Sequence, residues 1–392
     1  MAKVGVGVIG CGSIAEIAHF PSIEESPEAK LIAVCDIDEK RVKQAAEKWK
    51  AEKYYTDYRE LLENKDVDLV IIATPNNLHY EQAIATAEAG KHAIVEKPLA
   101  CTNKEAWEMV SKFKEKGLFL MVGTNQRFWL QHEWAKKLLD NGIIGDVYLG
   151  RTSLHEGWGL YHEQISVTRF RQYGETAGGG AIFDLGAHRI DLLLWMMGSK
   201  PKRVVGVVDR TASPDSYTKL DDLFVVLIEF EDRKYGIVTG DRYSPVVSNI
   251  GEFYGTEGTI FIASEAQNPF QSAPLAVFTN KDYSWEDMPE LLKLYRHPQL
   301  FWAEDIMSKP APKRWVSIVP PREWSYKRML RHFIEATSKN ETPIIKPEDG
   351  ALAVEIMCAT IKSMQLKQWV DLPLKEEVVP PFYKKHYEGR RL

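Results

Sequence analysis

The sequence predicts an α/β domain built on a doubly wound parallel sheet, followed by an α+β domain with a largely antiparallel, open sheet. Three observations carry this. At 392 residues the chain exceeds what one ordinary core accommodates, so two domains are expected. From Val4 to Val122 short apolar runs alternate with segments of helical periodicity, the pattern of parallel strands joined by crossover helices. Beyond Gly145 the strand-like runs are joined by turns rather than helices, which favours antiparallel pairing. The expected bounds are 1–124 and 125–374, with a charged segment over 375–392 that is either a loose tail or an arm.

Val4–Ile9 is a short apolar run ending in Gly10-Cys11-Gly12-Ser13-Ile14-Ala15, and the residues that follow, IAEIAHF, have helical spacing. This G-x-G-x-x-A arrangement between a strand and a helix is the fingerprint of a dinucleotide-binding Rossmann unit. Gly10 permits the tight turn, Gly12 lets a pyrophosphate approach the backbone, and Ala15 keeps helix and sheet close. The phosphates are then expected on the helix amino terminus, at Ser13 and Ile14. A second buried strand, Leu31–Cys35, ends at Asp36, twenty-one positions after Ala15. A carboxylate there accepts hydrogen bonds from the adenosine ribose hydroxyls. It also repels a 2′-phosphate, so NAD is favoured, while nearby Arg41 keeps NADP open.

The alternation continues through a helix near Tyr58–Glu63, a strand Asp68–Thr74, a helix Leu78–Ala89, a strand at Ala93-Ile94-Val95, a helix Lys104–Lys116 and a strand Leu118–Val122. Thr74-Pro75-Asn76-Asn77 lies at a carboxyl strand end, where open α/β sheets bind ligands. Thr74 and Asn76 are placed to reach the nicotinamide half of a cofactor, with His79 in the following helical turn; an ordinary Asn cap explains the same turn. The strand at Ala93 delivers Glu96-Lys97-Pro98 to the same edge. Pro98 fixes φ, lacks an amide proton and biases Lys97 towards an extended backbone, so the lysine is held at a turn and aimed at the crevice. A Glu-Lys pair in isolation is usually a solvated surface pair.

After Asn125-Gln126-Arg127-Phe128 the pattern changes. A helix over Gln131–Asn141 and a turn at Gly142–Gly145 precede strand-like runs at Val147–Leu154, Arg203–Asp209, Leu223–Phe230, Tyr235–Gly240, Gly251–Tyr254 and Gly258–Ile262. A sheet with one open apolar face commonly packs against a twin, so a homodimer or homotetramer is expected. Between the first two runs, Ala181–Met197 reads as one helix with Asp184, His188 and Asp191 at i, i+4 and i+7 on one narrow face. A polar stripe on an otherwise apolar helix is costly unless each group is paired or used. A lone buried histidine is more often a satisfied core residue, but a carboxylate one turn earlier can orient or charge its ring. With no H-E-x-x-H motif or cysteine cluster, a metal is not expected.

Fifty basic residues against fifty-five acidic ones, with no long run of either sign, argue against nucleic acid as a partner. No apolar stretch reaches the length of a membrane span, and MAKVGVGVIG reads as a strand that begins at once rather than as a signal peptide. The four cysteines, Cys11, Cys35, Cys101 and Cys358, are scattered without C-x-x-C spacing, as suits a reducing cytoplasm.

Taken together, Gly10-x-Gly12, the Thr74-Pro75-Asn76 turn with His79, Ala89-Gly90-Lys91-His92 and Glu96-Lys97-Pro98 resemble the glucose-fructose oxidoreductase, inositol dehydrogenase and rhizopine catabolism (Gfo/Idh/MocA) family. Gly178–Leu192 looks like its second signature, with Asp184 and His188 matching the catalytic aspartate and histidine, and Arg171 matching an arginine often found before it. The apolar helix Gly350–Gln365 followed by Trp369-Val370-Asp371-Leu372-Pro373 extends the likeness to nearly the whole chain. The resemblance implies an NAD(P)-dependent dehydrogenase that moves a hydride between a secondary hydroxyl of a sugar, cyclitol or sugar derivative and the nicotinamide. In that scheme His188 takes the hydroxyl proton, Lys97 stabilises the developing alkoxide, Asp184 orients His188 or binds the neighbouring hydroxyl, and Glu96 fixes Lys97 and touches the ribose. Arg127, His155, Trp158, Tyr161, His162 and Arg171 are expected around the substrate. Two other activities share this ancestry: a glycosidase or lyase acting through transient sugar oxidation, and a non-catalytic NAD-responsive regulator, against which retention of Lys97, Asp184 and His188 counts. Between Ser264 and Tyr326 the chain is longer than in many relatives, which leaves the pocket rim and the assembly contacts open.

Overall fold

A computed structural model describes residues 3–162, 165, 167–214, 218–245, 247–263, 273–281, 283, 287–293 and 315–384. Six strands near the amino terminus, β1 (Val4–Ile9), β2 (Ala29–Cys35), β3 (Lys53–Tyr55), β4 (Leu69–Ile72), β5 (His92–Val95) and β6 (Leu120–Val122), pair in the order β3-β2-β1-β4-β5-β6. Every pairing is parallel. Helices cover both faces, which is why β1, β4 and β5 are almost wholly buried and read as continuous apolar runs rather than alternating ones. The order reverses between β1 and β4, and a crevice opens there at the carboxyl ends. Gly10 makes that turn at φ +96°, where a Cβ would lie 2.6 Å from the Ala73 carbonyl oxygen, so only glycine fits.

The second domain carries a nine-stranded sheet among the described residues: β7 (Val147–His155), β8 (Pro201–Asp209), β9 (Leu223–Phe230), β10 (Tyr235–Asp241), β11 (Ser248–Gly255), β12 (Gly258–Ala263), β13 (Leu275–Thr279), β14 (Trp315–Ile318) and β15 (Val370–Asp371). Their order is β14-β13-β12-β11-β7-β10-β9-β8-β15. The sheet is antiparallel as expected except for one pairing: β7 lies parallel to β10. The chain leaves β7 for a long helical excursion and returns at β8, so β7 fills the gap between two antiparallel meanders. The consequence is that His155 and Asp241 lie side by side at the carboxyl ends of these two central strands.

The predicted helix over Ala181–Met197 is wound in two ways. Ile182–Gly186 is a π-helix and the α-helix runs from Ala187 to Met197. Asp221 anchors its start, accepting hydrogen bonds from the Gly180 and Ile182 amides at 2.7 and 2.9 Å. The wider turn shifts the register, so the single stripe expected from a regular spacing does not form. Over the expected tail, residues up to Lys384 pack onto the first domain: Asn103 accepts from the Val378 amide at 2.9 Å, and the Tyr383 hydroxyl donates to Glu105 at 3.0 Å. Glu105 is also the reciprocal partner of Thr102 in the capping box that begins the helix Asn103–Glu115. Most of the 264–314 stretch lies outside the described residues.

Candidate active site

The crevice between β1 and β4 is a cleft of about 670 Å³, within the range of small-molecule sites. Gly10, Gly12, Ser13, Ile14, Asp36, Thr74, Asn76, Glu96 and Lys97 all line it, as does Arg171 from the second domain. A Cβ on Gly12 would meet nothing within 4 Å, so the turn is open where a pyrophosphate must approach. Asp36 accepts hydrogen bonds from the Cys11 and Asp38 amides, both at 2.9 Å, and Arg41 bridges its two oxygens at 3.0 and 3.2 Å. Two backbone donors thus fix the carboxylate at the edge of the adenosine half. These residues fit a dinucleotide.

His79 departs from expectation. It is fully buried, with Nδ1 2.8 Å from the Pro98 carbonyl oxygen and Nε2 3.0 Å from that of Thr74. Burial pushes its pKa down. It ties the two cleft loops together from beneath and does not line the cleft. Glu96 lines the cleft but does not hold the lysine ammonium. One oxygen takes a hydrogen bond from His19 Nε2 at 2.8 Å and the other from the Lys97 amide at 3.2 Å.

The Lys97 ammonium instead crosses to the second domain, 2.7 Å from the Asp184 carbonyl oxygen and 3.0 Å from its carboxylate. Two guanidinium groups meet the same carboxylate, Arg171 at 3.3 Å and the buried Arg242 at 3.7 Å. His188, one helical turn on, makes no hydrogen bond among the described residues, and its Nδ1 is buried without a partner. Burial, then the positive charges of Lys97 and Arg189, push its pKa well below the ordinary imidazole value. No hydrogen bond joins Asp184 to the ring among the described residues, and its charge opposes that downward push.

The predicted rim is partly wrong. Arg127 is only 2% exposed, because the 3₁₀ turn Asn125–Phe128 lies beneath the helix Ser325–Lys339. Its guanidinium clasps Asp191 at 2.6 and 2.9 Å and reaches Asp349 at 2.8 Å. Both Arg127 and the third acid of the supposed stripe are structural. His155 is bound through Nδ1 to Asp241 at 2.5 Å and holds a strand end. Trp158 and Tyr161 stand exposed and edge-to-face, 6.1 Å apart, on the loop after β7. The side chain of His162 lies outside the described residues.

Sequence reasoning missed Arg242 and Glu156. Each follows the last residue of one member of the parallel β7–β10 pair, and only that pairing brings them to the site. A carboxyl placed just past a strand end was the available signal. Burial, then the charge of Asp184, pushes Glu156 up to about 7. Among the described residues there is no group of three or more His, Cys, Asp or Glu able to hold a metal ion, and no helix long and apolar enough to cross a membrane.

Residues 4–124 match the oxidoreductase family with an NAD-binding Rossmann fold, and residues 132–261 match the Gfo/Idh/MocA C-terminal domain. The chain belongs to the Gfo/Idh/MocA oxidoreductase family. Among Gfo/Idh/MocA relatives, the levoglucosan dehydrogenase of Pseudarthrobacter phenanthrenivorans is 31% identical over 70% of this chain and 77% of its own. The myo-inositol 2-dehydrogenase of Thermotoga maritima is 27% identical over 95% of this chain and 99% of its own. A crystal structure of levoglucosan dehydrogenase with NADH and levoglucosan superposes with a TM-score of 0.77 at 25% identity, covering 95% of this chain and all of that one. The crevice at Gly10 and Gly12 lies within the part of the chain that matches the NAD-binding Rossmann fold.

Proposed function

We propose that this protein is an NAD-dependent dehydrogenase acting on a secondary hydroxyl of a polyhydroxylated ring, a sugar or cyclitol. One observation carries the reading: Lys97, which lines the cleft of the cofactor domain, meets Asp184 beside His188, whose buried Nδ1 has no partner. NAD, when bound, supplies the hydride acceptor. His188 is neutral at physiological pH, because its pKa is held well below the ordinary value, and so is ready to take the hydroxyl proton. Lys97 donates to the same oxygen as negative charge develops. Asp184, compensated by Arg171 and Arg242, holds the lysine in place between turnovers. The names of the inositol and levoglucosan dehydrogenases support the substrate class. The test is a panel of cyclitols, aldoses and anhydrosugars with NAD, followed at the reduced-nicotinamide absorbance band with product analysis. No reduction with any member would end this reading.

Asp36 sets the cofactor preference in this scheme. Asp36→Ser removes an acceptor worth about 1.5–3 kcal/mol when charged, so NAD affinity should fall roughly 10- to 100-fold. Arg41, released from its carboxylate, should then improve relative use of NADP. An unchanged NAD to NADP ratio in initial-rate assays would remove Asp36 from the cofactor site.

The open face of the nine-stranded sheet supports a homo-oligomer. Val207, Val225, Tyr235 and Trp315 are each at least 40% exposed on that face, and Phe261 stacks on Trp315 at 5.1 Å. An apolar face of this extent favours self-association. Light scattering at micromolar concentration should report a dimer or larger, and a monomer would refute it. All four cysteines are free and buried, which suits a cytoplasmic location.

A further inference from the structure

Glu156 stands apart from the other charged groups of the site. Its main chain is well fixed: the Glu156 amide donates to the Asp241 carbonyl oxygen at 3.0 Å, and the Gly159 amide donates to that of Arg242 at 2.9 Å. Between them, Gly157 is so close to Ser244 that a Cβ would lie 3.0 Å from its carbonyl oxygen. The side chain, by contrast, makes no hydrogen bond or ion pair among the described residues, though it is half-buried. Its charged neighbours are Asp184, Lys97, Arg242 and Arg171. The three cations are engaged elsewhere. All meet Asp184, and Arg242 also reaches the Arg171 carbonyl oxygen and Gln172 at 3.3 and 3.5 Å. A half-buried carboxyl beside an active site, with no partner, is costly unless a ligand meets it.

We propose that Glu156 is a substrate-binding residue whose carboxylate accepts a hydrogen bond from a second hydroxyl of the ring, beside the one held by Lys97 and His188. The inference rests on the dehydrogenase reading and narrows its substrate class to a polyol with at least two hydroxyls within reach of one another. Ionised Glu156 is the stronger acceptor. The residue titrates near 7, raised by burial first and by Asp184 second, with Lys97, Arg242 and Arg171 opposing. Polyol binding therefore tightens as the pH rises through that value. The adjacent His155–Asp241 pair is internally hydrogen-bonded, and His188 is held well below this range.

Glu156→Gln tests this with myo-inositol and levoglucosan as probes. The expected result is a KM raised roughly tenfold or more, kcat within about threefold of wild type and an unchanged affinity for NADH. The dependence of KM on pH near 7 should vanish. The melting temperature separates binding from structure. A carboxyl with a raised native pKa loses stability as the pH rises through that pKa, so at pH 8 the glutamine variant should melt at or above wild type. Wild-type turnover with an unchanged KM in the variant overturns the proposal alone, and so does a melting temperature clearly below wild type at pH 8. Absence of wild-type turnover with either polyol and with the wider panel overturns the dehydrogenase reading and this proposal with it.

Discussion

Lys97→Ala should lower turnover by about 10²–10³-fold, the usual cost of removing a donor aimed at a developing oxyanion, while leaving NAD affinity nearly intact. The lysine lines the cleft, and removing it leaves Asp184 still compensated by Arg171 and Arg242, so the site does not collapse for want of charge. His188→Ala should have a comparable effect through loss of the base. Because both residues act on one oxygen and its proton, the double variant should fall far short of the product of the single effects. The pH profile gives an independent check. The base must be neutral, and His188 titrates well below the ordinary imidazole value, so the wild-type rate should show no loss through pH 6.5 attributable to this histidine. Near-normal turnover in Lys97→Ala would reduce Lys97–Asp184 to an interdomain ion pair.

Arg127→Ala should be the most damaging substitution for stability, at about 3–5 kcal/mol, because it leaves Asp191 buried and unpaired. Asp191 is 1% exposed, and its two oxygens take the guanidinium at 2.6 and 2.9 Å. Replacing both members together, as Arg127→Met with Asp191→Leu, removes the stranded charge and should recover most of the loss. Denaturant unfolding of the three variants measures this. A cost below about 1 kcal/mol for the single variant would mean that water reaches the pair.

How far each residue could be read without the structure depended on the range over which it is determined. The alternation of β1 to β6, the glycine turn at Gly10 and the placement of Lys97 before Pro98 are set by neighbours within a few positions, through side-chain period and backbone sterics. The parallel sheet formed as read, and nine of the ten residues expected around the cofactor line the cleft. His79 fails that pattern because its two partners, Pro98 and Thr74, belong to different loops that meet only when the sheet forms. Arg127 looked like a rim donor because Asp191 lies 64 positions away and Asp349 a further 158 beyond that. The helix stripe of Asp184, His188 and Asp191 assumed a constant turn, which the π-helix held by Asp221 breaks. Glu156 and Arg242 became visible only through the parallel pairing of β7 with β10, a register between distant strands. Local sterics and periodicity act within a few residues and so can be read along the chain; charge compensation and strand pairing are settled between segments that only the folded core brings into contact.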